Sequence, residues 1–375
     1  MSKAYKLSRR RFLTKTLAST AALTYLSSSY AQDLAATPTC KPSTIPTRLF
    51  SSSNTAWHDE RTDLALARMA CAGFNVQNPE IVGRQYLRFA GTDGQRIADL
   101  QNIATGGVEA PKLLLGVRGG YGAMRLLPYV DWTTLGRVLA ERGTITAGFS
   151  DVTAVQCALQ ALGSSDKSRL TLLQAPMLFS EFGKATPDKT SCLQFVNALT
   201  NPNLTLDVTE PHPDLPLIQD HKNTLATPRT GEIWGGNLSI LASLAGTKYL
   251  PNPDGGIVFL EDVGEPPYRL ERMLYSLYLN GAFERQQAIV LGAFSSVGAD
   301  GYDERYNLNA VISHLHRLTG LPVVSGVPFG HVAGKHSLPM GADCTLSLTG
   351  AGYLLAFANY ATVDRGLINE MALWV

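Results

Sequence analysis

Long apolar runs are missing from this 375-residue chain, and so is any excess of one charge sign: 32 Lys and Arg face 31 Asp and Glu. No segment supplies the roughly 20 apolar residues of a membrane span, so stable membrane insertion is not expected. A protein seeking nucleic-acid phosphate is excluded on the same balance. Cysteine is scarce. Cys40, Cys71, Cys157, Cys192 and Cys344 are odd in number, widely spaced and in no CxxC pair. Neither a disulfide framework nor a zinc knuckle is written in them, and the expectation is small buried hydrophobes that do not pair. What is present is a 45% hydrophobic composition with 34 Gly and 20 Pro. That is enough for two packed domains with turns between short strands and helices, and it rules out a disordered, collagen-like or coiled-coil chain.

The neutral balance hides two unlike pieces. Residues 1–31 carry Lys3, Lys6, Arg9, Arg10, Arg11 and Lys15 with no acid, leaving 26 basic against 31 acidic residues in the remainder. A charged start, a modest apolar stretch from Leu17 to Leu26 and the small-x-small site Ser29-Tyr30-Ala31 make a signal-peptide layout. Ser8-Arg9-Arg10-Arg11-Phe12-Leu13 resembles the twin-arginine export signal. The expectation is cleavage after residue 31 and a periplasmic mature protein. Cys40 suggests a lipid anchor only weakly, because Thr37-Pro38-Thr39 is a poor lipobox.

After a polar tether (32–46), strand-like and helix-like patterns alternate. Helices are predicted over 62–72, 94–104, 135–142 and 152–162, with strands at 74–76, 112–117 and 144–147, which is the signature of an α/β domain with a largely parallel sheet over 47–199. Residues 200–229 are rich in Pro and read as a linker. A second α/β domain over 230–375 follows, with helices at 237–245, 268–280 and 307–318, strands at 257–260, 288–294 and 322–325, and a final 35 residues that look like closing strands.

The histidines sort by setting. His58, His212 and His221 lie in polar or Pro-rich loops, and His314 and His316 are two apart on a helix, facing too far apart to share a metal. His331 follows a strand through Gly326-Val327-Pro328-Phe329-Gly330, where α/β folds place their chemistry. Gly148-Phe149-Ser150-Asp151 joins a β-branched strand directly to a helix, the context of a nucleophile elbow, with the Asp151 N–H facing an oxyanion. Local sequence alone favours the competing reading, in which Ser150 merely caps the helix. The loop Arg118-Gly119-Gly120-Tyr121-Gly122 lacks the GK[ST] ending of a P-loop and the spacing of G-x-G-x-x-G. Its better use is a backbone N–H for an oxyanion hole, with a plain turn as the alternative. The strand Ile257–Leu260 delivers Glu261 and Asp262, either of which, or nearby Glu265, can orient an imidazole.

Together these stretches resemble the LD-carboxypeptidase family of serine peptidases (S66): GVRGGYGAMRLLPYVDW (116–132), GFSDVTAVQ (148–156), IWGGNLSILASLAGT (233–247), IVFLEDVGEPPYRLERML (257–274) and VSGVPFGHVAGKHSLPMGADCTL (324–346), with RFAGTDGQRIADLQ (88–101) also fitting. The resemblance implies a class I glutamine amidotransferase-like α/β domain followed by a separate α/β domain. It implies Ser150 as nucleophile, Glu261 rather than Glu265 or Asp262 as orienter, and His331 as general base, with backbone N–H groups of Asp151 and Gly120 as the oxyanion hole. It further implies no metal or organic cofactor, release of a terminal D-Ala from a murein tetrapeptide, and a possible homodimer. Two alternatives are a microcin C-type peptidyl-adenylate hydrolase, which the leader opposes, and a non-catalytic muropeptide-binding protein. One departure stands at Leu49-Phe50-Ser51-Ser52-Ser53, where the family often has apolar residues followed by Ala-Pro-Ser.

Overall fold

A computed structural model describes residues 39–57, 59–164, 169–209 and 225–375. The basic leader with its cleavage site, residues 32–38 of the proposed tether, and His58, His212 and His221 lie outside the described residues; Ile45 and Pro46, expected in the tether, already belong to the first strand. Two sheets organise the rest. The first has the order β11-β5-β4-β3-β1-β2, built from β1 (Ile45–Phe50), β2 (Phe74–Val76), β3 (Leu113–Gly116), β4 (Ile145–Gly148), β5 (Thr171–Gln174) and β11 (Leu338–Met340). Its first five strands are parallel, and β3, β4 and β5 are buried along their whole length. That accounts for their uninterrupted apolar runs: helices cover both faces of such a sheet.

The covering helices start and stop where side chains satisfy their ends. Asp59 and Gly73 bound α1 (Glu60–Ala72), the glycine closing it in the left-handed conformation. Thr92 and Gln95 form a reciprocal capping box on α2 (Asp93–Ala104). Asp131 caps α3 (Trp132–Arg142), and Asp188 caps α5 (Lys189–Thr200). Helix α4 (Thr153–Gly163) has no side-chain cap, and a 3₁₀ turn over Ser150–Val152 leads into it. The capping alternative for Ser150 therefore fails.

The second sheet has the order β10-β9-β8-β7-β12-β13-β6. Its strands are β6 (Thr205–Val208), β7 (Arg229–Asn237), β8 (Ile257–Val263), β9 (Ala288–Ser295), β10 (Val323–Val324), β12 (Asp343–Leu348) and β13 (Tyr353–Ala358). Strands β7 to β10 are parallel and are connected through α6 (Leu238–Leu244), α7 (Pro267–Leu279) and α8 (Leu308–Thr319), while β12, β13 and β6 add on antiparallel.

Four features depart from the sequence reading. Residues 205–208, expected in a linker, form an edge strand; their alternation of exposed and buried positions is short and was masked by the flanking Asn and Pro. Strand β11 returns to pair antiparallel with β5 of the first sheet, and the last residues form 3₁₀ turns, Arg365–Leu367 and Glu370–Leu373, instead of strands. They pack on α1, where Asn369 N–H donates to Ala72 O at 3.0 Å and Arg68 Nε donates to the Val375 carbonyl at 3.2 Å. Finally, Cys40 and Cys71 form a disulfide. Spacing of 31 residues carries no pairing signal, yet α1 brings Cys71 beside the segment that enters β1. A bonded Cys40 leaves no thiol for a lipid anchor. The other three cysteines are buried and free, as expected.

Candidate active site

The segments that follow β4 and β10 meet, with the ends of β7 and β8 beside them. β4 stops at Gly148, where an added Cβ would meet Val152 Cγ1 at 2.7 Å, so the turn admits no larger residue. Ser150 then takes φ = 60°, one of four non-glycine residues with positive φ among those described. Such a conformation costs on the order of 1–3 kcal/mol and persists only where the surroundings enforce it. Here Asp151 enforces it: its carboxylate, 2% exposed, accepts from Ser53 Oγ at 2.6 Å and from the Ala123 N–H at 2.9 Å. Burial pushes this carboxyl above the usual aspartate range, and those two hydrogen bonds draw it part of the way back. The departure at Ser51 to Ser53 thus has a use, since Ser53 ties the end of β1 to the elbow.

The loop after β3 lies against the serine. A Cβ on Gly119 would fall 3.2 Å from Ser150 Oγ, and one on Gly120, at φ = 122°, would fall 2.5 Å from Asn54 Cγ. Glycine at both positions lets the backbone reach the hydroxyl. Asn54 Oδ1 meanwhile accepts from the Tyr121 N–H at 3.3 Å and fixes the loop.

From the second sheet come a carboxylate and an imidazole. The register of β8 against β9 shifts between Leu260 and Asp262, and such a bulge re-aims the side chains on either side of it. Glu261 is wholly buried and Asp262 is 3% exposed. Asp262 is consumed by structure: it accepts from Ser239 N–H (2.9 Å) and Ser239 Oγ (2.7 Å) at the start of α6 and from Asn237 Nδ2 (3.2 Å). Glu265 pairs with Arg269 at 2.9 Å. Glu261 accepts from Asn237 Nδ2 on Oε1 (3.2 Å) and from His331 Nδ1 on Oε2 (3.1 Å). A carboxylate only accepts, so Nδ1 carries the proton and Nε2 is left with its lone pair. Of the three acids open to choice from the residues alone, it is Glu261 that meets the histidine.

Phe149, directly before Ser150, brings the two halves together: its ring centroid lies 5.1 Å from that of His331 and 5.8 Å from that of Phe329. The loop carrying His331 is also held from the first-sheet side. The Gly334 N–H donates to Asp188 Oδ1 (3.0 Å), the Lys335 N–H to Ser191 Oγ (3.1 Å), and Lys335 Nζ approaches Glu181 Oε2 at 3.4 Å. Glu181 sits in a π-helical turn, Leu178–Phe182. Burial holds the Lys335 ammonium below the usual lysine range against the pull of Glu181.

Sequence reasoning did not find Asn237, which caps α6 through Oδ1 while bridging Glu261 and Asp262 through Nδ2. Its signal was an Asn at a strand-to-helix junction. It also passed over the seventh histidine, His336, whose N–H closes the loop onto Pro328 O at 2.7 Å and whose imidazole is held below its ordinary pKa by burial. His314 and His316 have structural partners, Tyr275 Oη and the Leu321 carbonyl, at 2.7 Å each.

Two family models match: an LD-carboxypeptidase N-terminal domain over residues 48–166 and an LD-carboxypeptidase C-terminal domain over 230–346. The chain belongs to the LD-carboxypeptidase (S66) family. A solved muramoyltetrapeptide carboxypeptidase from Oxalobacter formigenes is 30% identical and superposes with a TM-score of 0.72, over 84% of this chain and 99% of that one. The murein tetrapeptide carboxypeptidase of Pseudomonas aeruginosa is 29% identical over 76% of this chain and 87% of its own length. The microcin C7 self-immunity protein MccF of Escherichia coli is 24% identical over 73% and 81%. Membership makes this LD-carboxypeptidase relative a hydrolase of the serine carboxypeptidase class.

Proposed function

We propose that the protein is a periplasmic serine LD-carboxypeptidase that removes the terminal D-alanine from murein tetrapeptides. The observation that carries the reading is the hydrogen bond from His331 Nδ1 to the wholly buried Glu261, set beside a serine held at positive φ. His331 Nε2 takes the Ser150 proton as Ser150 Oγ attacks the terminal peptide carbonyl, and Glu261 stabilises the imidazolium. Backbone N–H groups of Asp151 and Gly120 receive the oxyanion. His331 then protonates the departing amine, and water, deprotonated by the same imidazole, releases the acyl group.

The names of the Oxalobacter and Pseudomonas relatives support murein peptide as the substrate. The basic leader and the Cys40–Cys71 disulfide, a bond at home in oxidising compartments, support export. A second reading, hydrolysis of a microcin C-type peptidyl adenylate, is favoured by the likeness to MccF; the same leader and disulfide weigh against a cytoplasmic substrate.

The test is incubation of the mature protein with murein tetrapeptide while free D-Ala is followed. Steady release that Ser150→Ala abolishes supports the proposal. Binding of the peptide without release by the unaltered protein defeats it and leaves a muropeptide-binding module.

A further inference from the structure

A carboxypeptidase must recognise a terminal carboxylate, and the chain length between that group and the scissile carbonyl is one residue, about 3–4 Å. The anion site must therefore adjoin the nucleophile. The backbone of Arg118 adjoins it: Arg118 directly precedes Gly119, whose Cβ position is 3.2 Å from Ser150 Oγ. Its Nη1 donates to the Thr55 carbonyl at 2.9 Å. Its Cζ lies 5.1 Å from the ring centre of Trp57 and 5.5 Å from that of Phe179. Among the described residues no carboxylate forms an ion pair with it, and a guanidinium has five N–H donors.

Arg61 approaches the same wall from α1. Its Cζ stands 4.3 Å from the Phe179 ring centre, and its Nη2 pairs with Asp59 Oδ2 at 3.0 Å. Two guanidinium groups thus share Phe179, with Trp57 6.4 Å from it between ring centres. Burial, and then the charge of Arg61, draw the Arg118 pKa below its ordinary value, although arginine keeps its proton at any physiological pH. A half-buried, aromatic-stacked guanidinium beside a like charge is arranged to receive an anion. A role limited to fastening the loop would need only the bond to Thr55.

We propose that Arg118, backed by Arg61 and held flat by Trp57 and Phe179, is the binding site for the substrate's terminal carboxylate. This rests on the carboxypeptidase reading above and adds its specificity-determining group. The carboxylate accepts from the free edge of the Arg118 fork, which places the preceding peptide carbonyl against Ser150. Such a site separates a peptidase for free C-termini from hydrolases whose leaving group carries no carboxylate.

The experiment compares two probes, a murein tetrapeptide ending in D-Ala and the same peptide as its C-terminal amide. Removing one partner of a hydrogen-bonded charge pair typically costs 2 kcal/mol or more, about 30-fold. The unaltered enzyme is expected to prefer the free acid by at least about 30-fold in kcat/KM. In Arg118→Gln that preference falls toward one; Arg118→Lys, which keeps the charge but not the fork, retains part of it, and Arg61→Gln reduces it less. Equal cleavage of acid and amide by the unaltered enzyme overturns the site, a result independent of how the variants fold. An Arg118→Gln enzyme that keeps the full preference overturns it as well. Release from neither peptide by the unaltered enzyme defeats the carboxypeptidase reading itself, and this site with it.

Discussion

Replacing Glu261 by Gln exchanges one buried oxygen for an amide nitrogen, and the surrounding network dictates the consequence. Asn237 Nδ2 donates to Glu261 Oε1, and its orientation is fixed twice over, because Oδ1 caps α6 by accepting from Ile240 N–H at 3.3 Å while Nδ2 also serves Asp262. The new amide must therefore point its oxygen at Asn237 and its NH₂ at His331. Facing a donor, Nδ1 has to become an acceptor, so the imidazole proton moves to Nε2 and the lone pair that should accept the Ser150 proton is lost. No volume changes and no buried charge is left unpaired, so the fold is expected to persist. The wrong tautomer costs about 10⁴ in kcat in comparable triads, or about 5.5 kcal/mol of barrier.

The assay is D-Ala release under saturating tetrapeptide, alongside a thermal melt of each variant. Adding Asn237→Ala to Glu261→Gln frees the amide to turn, and the double variant is expected to recover about tenfold over Glu261→Gln alone, a non-additivity reserved for residues in direct contact. A folded Glu261→Gln enzyme with kcat within tenfold of the unaltered protein would refute the reasoning, because Glu261 would then not set the tautomer.

Gly120→Ala forces a Cβ to 2.5 Å from Asn54 Cγ and turns the loop away from Ser150; kcat should fall about 10²- to 10³-fold, the loss of one oxyanion donor, with KM little changed, as steady-state kinetics will show. The Cys40–Cys71 bond closes a loop over a separation of 31 residues, worth about 3–4 kcal/mol on the chain-entropy account. For some 340 residues this is a fall in Tm of about 5 °C in the double Ser variant; an unchanged melt would show that closing this loop does not stabilise the fold. Arg9→Lys with Arg10→Lys should leave precursor in the cytoplasm, read by fractionation and immunoblotting, and normal export of that variant would remove the twin-arginine assignment.

What the sequence made legible follows from how each signal is encoded. Buried parallel strands leave continuous apolar runs and amphipathic helices leave a 3.6-residue period, so β3, β4, β8, β9 and the helices between them were readable to within three residues at either end. The elbow at Gly148 to Asp151 and the loop ending in His331 stood out as candidates because glycines that permit a close approach mark them, but local sequence favoured a helix cap at Ser150, and only the family resemblance chose the elbow. Between Glu261, Asp262 and Glu265 the residues alone could not choose. The bulge that directs Glu261 at His331 is a property of register against β9, and no composition records it. The pairing of Cys40 with Cys71, the return of β11 and the meeting of Arg61, Trp57, Arg118 and Phe179 are likewise tertiary facts, assembled from segments that share no local pattern.

The division of the site between two sheets poses a physical problem that the fold answers. The proposed nucleophile, just past the end of β4, and the proposed base, beyond β10, stay in register only if the sheets cannot slide. Gly236 of β7 is packed so closely that an added Cβ would lie 2.5 Å from Gln174 Nε2 and 2.8 Å from Thr153 Oγ1, which locks the end of β7 onto β5 and α4. Strand β11 pairs with β5 only seven residues after His331, and Gly334 and Lys335 are bonded to the cap and the first turn of α5. His331 is thus anchored at Glu261 on one side and, through its own loop, on the sheet that carries Ser150. The proposed base is thus held by both sheets, by Glu261 on the second and through its own loop on the first, so the arrangement does not depend on a hinge between them.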